Sequence, residues 1–331
     1  MRFIEPKFVD RVNELRKLKE LAIHGSILPI YLYGPEGCGK TRLLKEFMKK
    51  VNGVAIYIDA LERKDPERAL IVSPFITELR EFLRKALSGI SGSLGVYLAD
   101  RITFIVEEVA KKVSISNKPL TVIVDDVTRA IGLGQVEWYV KWLYELIKKL
   151  YERYSPRSIL IIATTSEGKS LDLILRHRYA KVKLIWNLPR NGFNELINEL
   201  NPSNNRIADK IWYFTGGNPR AVIEIAYSYG WNIDLWLKDL KKILIKFITI
   251  IRSENLVNEL KLVIENPDMV YEEASKNMMK LYNILVEENL FIYKFTSTIS
   301  GIDLVQDLEL GIGKYYAWQI PAYKHLLREL L

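Results

Sequence analysis

The sequence predicts an α/β fold: a parallel five-stranded sheet with crossover helices, then an all-helical module, then a winged-helix-like C-terminal module. Three observations predict it. Short β-rich runs alternate with helical patterns over the first 189 residues, strand signals then stop, and from about residue 255 three helices precede two short strands and a last helix. The chain divides accordingly into 1–189, 190–254 and 255–331.

The five strands are ILPIYLYG (27–34), GVAIYIDA (53–60), LTVIVDDV (120–127), SILIIATTS (158–166) and AKVKLIWNL (180–188). Each is nearly continuously apolar, as a strand covered on both faces must be. Helical patterns lie between them at 40–50, 74–114 and 136–154, the middle one broken at SGISGSLG (88–95). The all-helical module shows helices at 190–200, 203–214, 219–229 and 233–250. ILIKFITII (243–251) is too short to span a bilayer, which needs roughly 20 apolar residues, and reads as a buried helix. The last module places helices at 255–265, 269–276 and 278–289, strands at FIYKF (291–295) and YYAWQI (315–320), and a final helix.

Composition limits the function. A chain of 331 residues is too long for one ordinary core, and 49% hydrophobic with 27% charged residues describes a globular protein. The opening MRFIEPKFVDR mixes charge and proline too early for a signal peptide, so a cytoplasmic protein without a membrane segment is expected. The single cysteine, Cys38, excludes an internal disulfide framework, and three scattered histidines give no zinc-binding spacing. The net charge of +8 is unevenly spread: 141–190 holds 11 basic against 4 acidic residues, whereas 255–331 holds 7 against 11. Phosphate contacts dominate DNA affinity, so a net-negative C-terminal module is a poor DNA reader. DNA is an admissible partner but not the favoured one.

The stretch LYGPEGCGKT carries the chemistry. Gly34, Pro35, Glu36, Gly37, Cys38, Gly39, Lys40 and Thr41 fit the G-x-x-x-x-G-K-[ST] pattern, with a strand before and a helix, entered through Arg42, after. Glycines let the backbone wrap so that N–H groups point at phosphate oxygens at the positive end of a helix. Lys40 is expected to reach the β- and γ-phosphates and Thr41 to hold Mg²⁺, while Cys38 is simply a small residue that fits. The sheet is therefore that of a P-loop NTPase. TVIVDDV supplies the acids such a site needs: Asp125 closes the strand as the Mg²⁺-side carboxylate, and Asp126 is the candidate for polarising water. Thr164 and Thr165 end the next strand beside these acids, and Thr165 is the catalytic candidate of the two. In TGGNPRAVIEIA (215–226) Asn218 can cap a helix whose first position suits Pro219, which brings Arg220 out in its opening turn.

Together these residues resemble the archaeal P-loop ATPases related to the AAA+ and STAND NTPases, and more distantly the origin-recognition ATPases. FVDRVNELRKLKEL (8–21) looks like the entry segment of that group, and the Walker A and Walker B stretches, the ATT strand end and TGGNPR follow in its order. The resemblance covers roughly residues 5–230. It implies that Phe8 and Arg11 close over adenine, and that Arg220, beside Pro219, reaches the γ-phosphate from a lid formed by 190–254. It also implies that Arg176 or Arg178, in LRHRYAKVK (175–183), is an arginine finger offered to a neighbouring subunit. The adenine preference rests on the resemblance. Two departures stand out: Asp126 replaces the usual glutamate, and Ser166 follows the two threonines where many STAND proteins have arginine. The implied activity is slow, Mg²⁺-dependent ATP hydrolysis by a switch that alternates between ATP and ADP and acts on a protein partner or a second copy. A DNA-binding ATPase and a non-hydrolysing scaffold are the alternatives.

Overall fold

A computed structural model describes residues 5–62, 70–72, 94–166, 168–202 and 204–331. The expected helical stretch from 74, with its break at 88–95, lies outside the described residues up to 93; α3 (Leu94–Val113) follows.

Among the described residues the sheet has six strands: β1 (Ile30–Tyr33), β2 (Val54–Asp59), β3 (Leu70–Val72), β4 (Pro119–Asp125), β5 (Ser158–Thr165) and β6 (Lys181–Leu184). Their order across the sheet is β3-β2-β4-β5-β1-β6. All five expected strands are present and parallel, whereas β3 pairs antiparallel with β2 and was not anticipated. Its three residues are too few to show any period.

Alternate side chains of the strands face opposite layers. Ile30, Leu32, Tyr57, Ile123 and Ile162 pack under α1 (Val12–His24) and α2 (Lys40–Met48). Tyr31, Tyr33, Val122, Val124 and Ile161 face the other way, towards α3 and α5 (Val136–Tyr154). Between β4 and α5 lies the short α4 (Val127–Ile131), and α6 (Gly168–Leu175) links β5 to β6.

Residues 190–253 form α7 (Arg190–Leu200), α8 (Ala208–Thr215), α9 (Pro219–Tyr227) and α10 (Ile233–Ser253). Asn218 caps α9 as expected, its side chain accepting from Ala221 N with Pro219 at the first position. Beyond them come α11 (Val257–Glu265), α12 (Met269–Glu273) and α13 (Lys276–Glu287), the antiparallel pair β7 (Phe291–Tyr293) and β8 (Tyr316–Trp318), and α14 (Pro321–Leu330).

The long connection from β7 to β8 returns to the main sheet. Leu184 N donates to Ser297 O at 2.9 Å and Ile299 N donates to Leu184 O at 2.8 Å, which covers the outer edge of β6. Buried Asp268 secures its far end by accepting from the backbone N–H groups of Lys314, Tyr315 and Tyr316. Ile292, Ile312 and Ala317 belong to the same apolar cluster as the strands, so the C-terminal segment is packed onto the sheet rather than tethered to it. Among the described residues no helix is long and apolar enough to cross a membrane.

His325 of α14 stacks on Tyr213 of α8 with ring centroids 4.4 Å apart. Burial, then the charges of Lys324 and Arg328, push its imidazole down to about 4, against a weaker opposing pull from Glu329. The ring is neutral in the folded chain and charges at about pH 6.5 once unfolded. Stability is therefore expected to be intact above pH 6.5 and to decline as pH falls towards 4. His325→Gln should flatten that part of a melting-temperature profile.

Candidate nucleotide-binding site

Parallel strands put their carboxyl ends on one edge of the sheet, and the candidate site lies there. From Tyr33 the chain turns into the loop 34–39 and enters α2 at Lys40. Gly34 has no room for a side chain, because a Cβ would lie 1.9 Å from Ile185 O. Gly39 has open space around it but a φ of +100°, a conformation that favours glycine.

A cavity of about 440 Å³ opens over this loop. Pro6, Phe8, Val9, Leu196, Pro219 and Ile223 line its apolar part. Lys40, Thr41, Asp126, Arg129, Ser166 and Arg220 line its polar part. An apolar slot joined to a cationic and hydroxyl-rich end suits a flat base joined to phosphates.

Lys40 is buried, and its ammonium donates to Gly34 O and Pro35 O, each at 2.9 Å, which curls the side chain along the loop. Arg11 also lines the cavity, but its guanidinium is turned to the backbone. It donates to Cys38 O at 2.9 Å and Trp186 O at 2.6 Å and pairs with Glu14, so it braces the loop from beneath. The Cys38 thiol is buried beside Ile185 O. Arg42 ties the entry segment to α2 by pairing with Glu5 and Glu46 and donating to Pro6 O.

At the end of β4, Asp125 is buried just behind the cavity wall. One carboxylate oxygen accepts from Thr164 Oγ1 at 2.6 Å and the other from Tyr57 Oη at 2.7 Å. Burial, then the Asp125 charge, push the Tyr57 hydroxyl far above its ordinary value, so it remains a donor to the carboxylate. Asp126 follows with a φ of +53°, and its N–H donates to Thr164 Oγ1 at 2.7 Å. Its carboxyl is raised first by burial and then by Asp125, against the pull of Lys40.

Sheet parity separates the two threonines. Thr164 shares the face of Asp125 and touches it, whereas Thr165 points through the other face to Thr128 Oγ1 at 2.9 Å and Ser170 Oγ at 2.7 Å. The Thr165 hydroxyl is thus turned towards α4 and α6, and Thr164 is the threonine that touches the acid at the end of β4.

Arg220 does arrive at the loop from α9. Its N–H donates to Gly37 O at 3.3 Å, and its guanidinium pairs with Glu36 at 2.7 Å. Arg176 and Arg178 lie before β6, at the amino end of that strand and the opposite edge of the sheet from the loop. Arg176 is paired with Glu137. Neither lines the cavity, so either could serve only a site on a second copy. Arg129, one turn beyond Asp126, lines the polar end and was not singled out beforehand; the only signal was a basic residue shortly after the paired acids.

Residues 8–225 match the family described as an ATPase domain predominantly from Archaea. The chain belongs to that family. No curated protein matches it. Among solved structures, the Walker-type ATPase PABY2304 of Pyrococcus abyssi aligns with a TM-score of 0.55 and 17% identity over 98% of this chain and 99% of that one, which shows a shared fold. A FIGL-1 AAA domain in complex with ADP aligns at a TM-score of 0.35 and 13% identity, over 61% of this chain and 60% of that one. The chain is thus an α/β P-loop ATPase domain of predominantly archaeal type with a mostly parallel central sheet.

Proposed function

We propose that this protein is a Mg²⁺-dependent, ATP-binding and slowly hydrolysing switch of AAA+/STAND type. In this reading 1–189 is the ATPase core, 190–254 a helical lid and 255–331 a winged-helix-like readout module. The observation that carries it is the arrival of Arg220, from a helix of the proposed lid, at the same cavity as Lys40, Thr41, Asp126 and Arg129. Cations from the core and from the lid around one pocket make its phosphate occupancy felt across the joint between them.

The hydroxyl of Thr41 and the carboxylates of Asp125 and Asp126 are hard oxygen donors that fit Mg²⁺, an ion that keeps several waters and relies on one or two carboxylates plus phosphate oxygens. Thr41 would hold it directly, with Asp125 behind the wall fixed by Tyr57 and Thr164. Bound there, Mg²⁺ neutralises charge on the β- and γ-phosphates. Lys40 orients the same phosphates, and Asp126 orients the attacking water and accepts its proton. Arg220 and Arg129 offset charge at the outer phosphate. Pro6, Phe8 and Ile223 hold the base out of water.

The test is calorimetric titration of the full chain with MgATP and MgADP, together with phosphate release. Micromolar binding and turnover slower than about one per second, below the usual enzyme range, are expected. No binding would remove the reading, and binding with no turnover would reduce the protein to a scaffold.

A further inference from the structure

Glu36, in the middle of the phosphate-binding loop, is held on its backbone and its side chain by residues far along the chain. Its N–H donates to Gln319 Oε1 at 2.7 Å, Gln319 Nε2 donates to Asn289 Oδ1 at 2.6 Å, and Asn289 Nδ2 donates to Glu36 Oε2 at 2.8 Å, closing a ring. A backbone N–H can only donate and a carboxylate can only accept, so the ring admits a single orientation of both amides. Asn289 directly precedes Leu290 and β7, and Gln319 directly follows β8; Gln319 N donates to Leu290 O at 3.0 Å, binding the two together. Gln319 is 3% exposed. Glu36 and Asn289 are half-buried, so the ring is a part-buried joint between the loop and the C-terminal segment, anchored on buried Gln319.

The other carboxylate oxygen of Glu36 faces the cavity. It accepts from Arg220 at 2.7 Å and lies 3.6 Å from Arg129, the two arginines that line the polar end beside Lys40. Burial alone would raise the Glu36 carboxyl, but Arg220, then Arg129 and Asn289, outweigh it and hold it below its ordinary value. Glu36 is an anion built into the place where an outer phosphate would seek the same guanidinium groups.

We propose that Glu36 is a latch: it competes with the third phosphate of ATP for Arg220, and through Asn289 and Gln319 it reports the outcome to the C-terminal module. This rests on the nucleotide-binding reading above. ADP leaves the Glu36–Arg220 pair undisturbed, whereas ATP brings a second anion to it and like-charge repulsion favours release. A carboxylate held at one end by the module and at the other by the lid cannot change partners without altering both contacts. The exchange therefore gives ATP and ADP different free-energy couplings to the C-terminal segment.

The experiment compares Glu36→Gln and Asn289→Ala with the wild-type chain by calorimetry and by hydrogen exchange of residues 289–319, in Mg²⁺ with ADP or with a non-hydrolysable ATP analogue. In wild type, exchange of 289–319 differs between the two nucleotides. Glu36→Gln removes the competing charge, so the analogue gains affinity relative to ADP by about fivefold, the lower end of ordinary site coupling, and the exchange difference disappears. Asn289→Ala cuts the link while the Glu36 charge stays, so it abolishes the exchange difference and, by reciprocity, shifts the affinity ratio in the same direction as Glu36→Gln but by less. An unchanged affinity ratio in Glu36→Gln, or an exchange difference that is absent from wild type or survives in both variants, overturns the latch and leaves nucleotide binding standing. Failure of the wild-type chain to bind either nucleotide overturns the functional reading and the latch together.

Discussion

Lys40→Ala is expected to lower MgATP affinity by about 100-fold or more. Each hydrogen bond to a charged group contributes on the order of 1.5–3 kcal/mol, and in the proposed reading Lys40 makes one with each of two phosphates. No other side-chain cation emerges from the loop 34–41. The ammonium also bridges Gly34 O and Pro35 O, so alanine removes a strut of the loop along with the charge. Lys40→Met loses the same two bonds and the charge but keeps the aliphatic packing of the stem. It should likewise fail to bind in a calorimetric titration, and the melting temperatures of the two variants report how far the loop itself is loosened. Binding within threefold of wild type by both variants would remove the phosphate assignment of this loop.

Asp126→Asn is expected to leave MgATP binding nearly intact and to slow phosphate release at least tenfold. An amide keeps the shape of the carboxylate but cannot accept a proton from water. The substitution is clean in structural terms, because residue 126 adopts a φ of +53° and asparagine tolerates the left-handed region better than most residues. The N–H to Thr164 Oγ1 bond involves only backbone at position 126 and survives the change. Single-turnover phosphate release with saturating MgATP gives the answer, and equal rates in mutant and wild type would exclude Asp126 from the chemical step.

Much of this arrangement was legible along the chain. Continuous apolar runs marked the five parallel strands, because a strand covered on both faces must be apolar throughout. Asn218 and Pro219 marked the start of α9 with the position of Arg220, because capping depends on residues one to three apart. The loop 34–41 was legible for the same reason: its glycines, Lys40 and Thr41 lie within one short stretch of backbone. Local spacing determines local geometry, and each of these features is local.

The tertiary structure decided what lies between distant segments. Whether Thr164 or Thr165 meets Asp125 depends on the register of β4 against β5, and a shift of one residue exchanges the faces of the sheet. β3 pairs with β2 at the edge of the sheet through only three residues. Arg129 enters the cavity because α4 turns back over β5, and the connection after β7 reaches β6 across more than a hundred residues of chain. The ring of Glu36, Asn289 and Gln319 spans sequence separations of 253 and 283 residues. Nothing periodic links residues so far apart. Their meeting is set by the packing of the C-terminal segment on the sheet, and that packing places a glutamate of the phosphate-binding loop between two arginines and two amides.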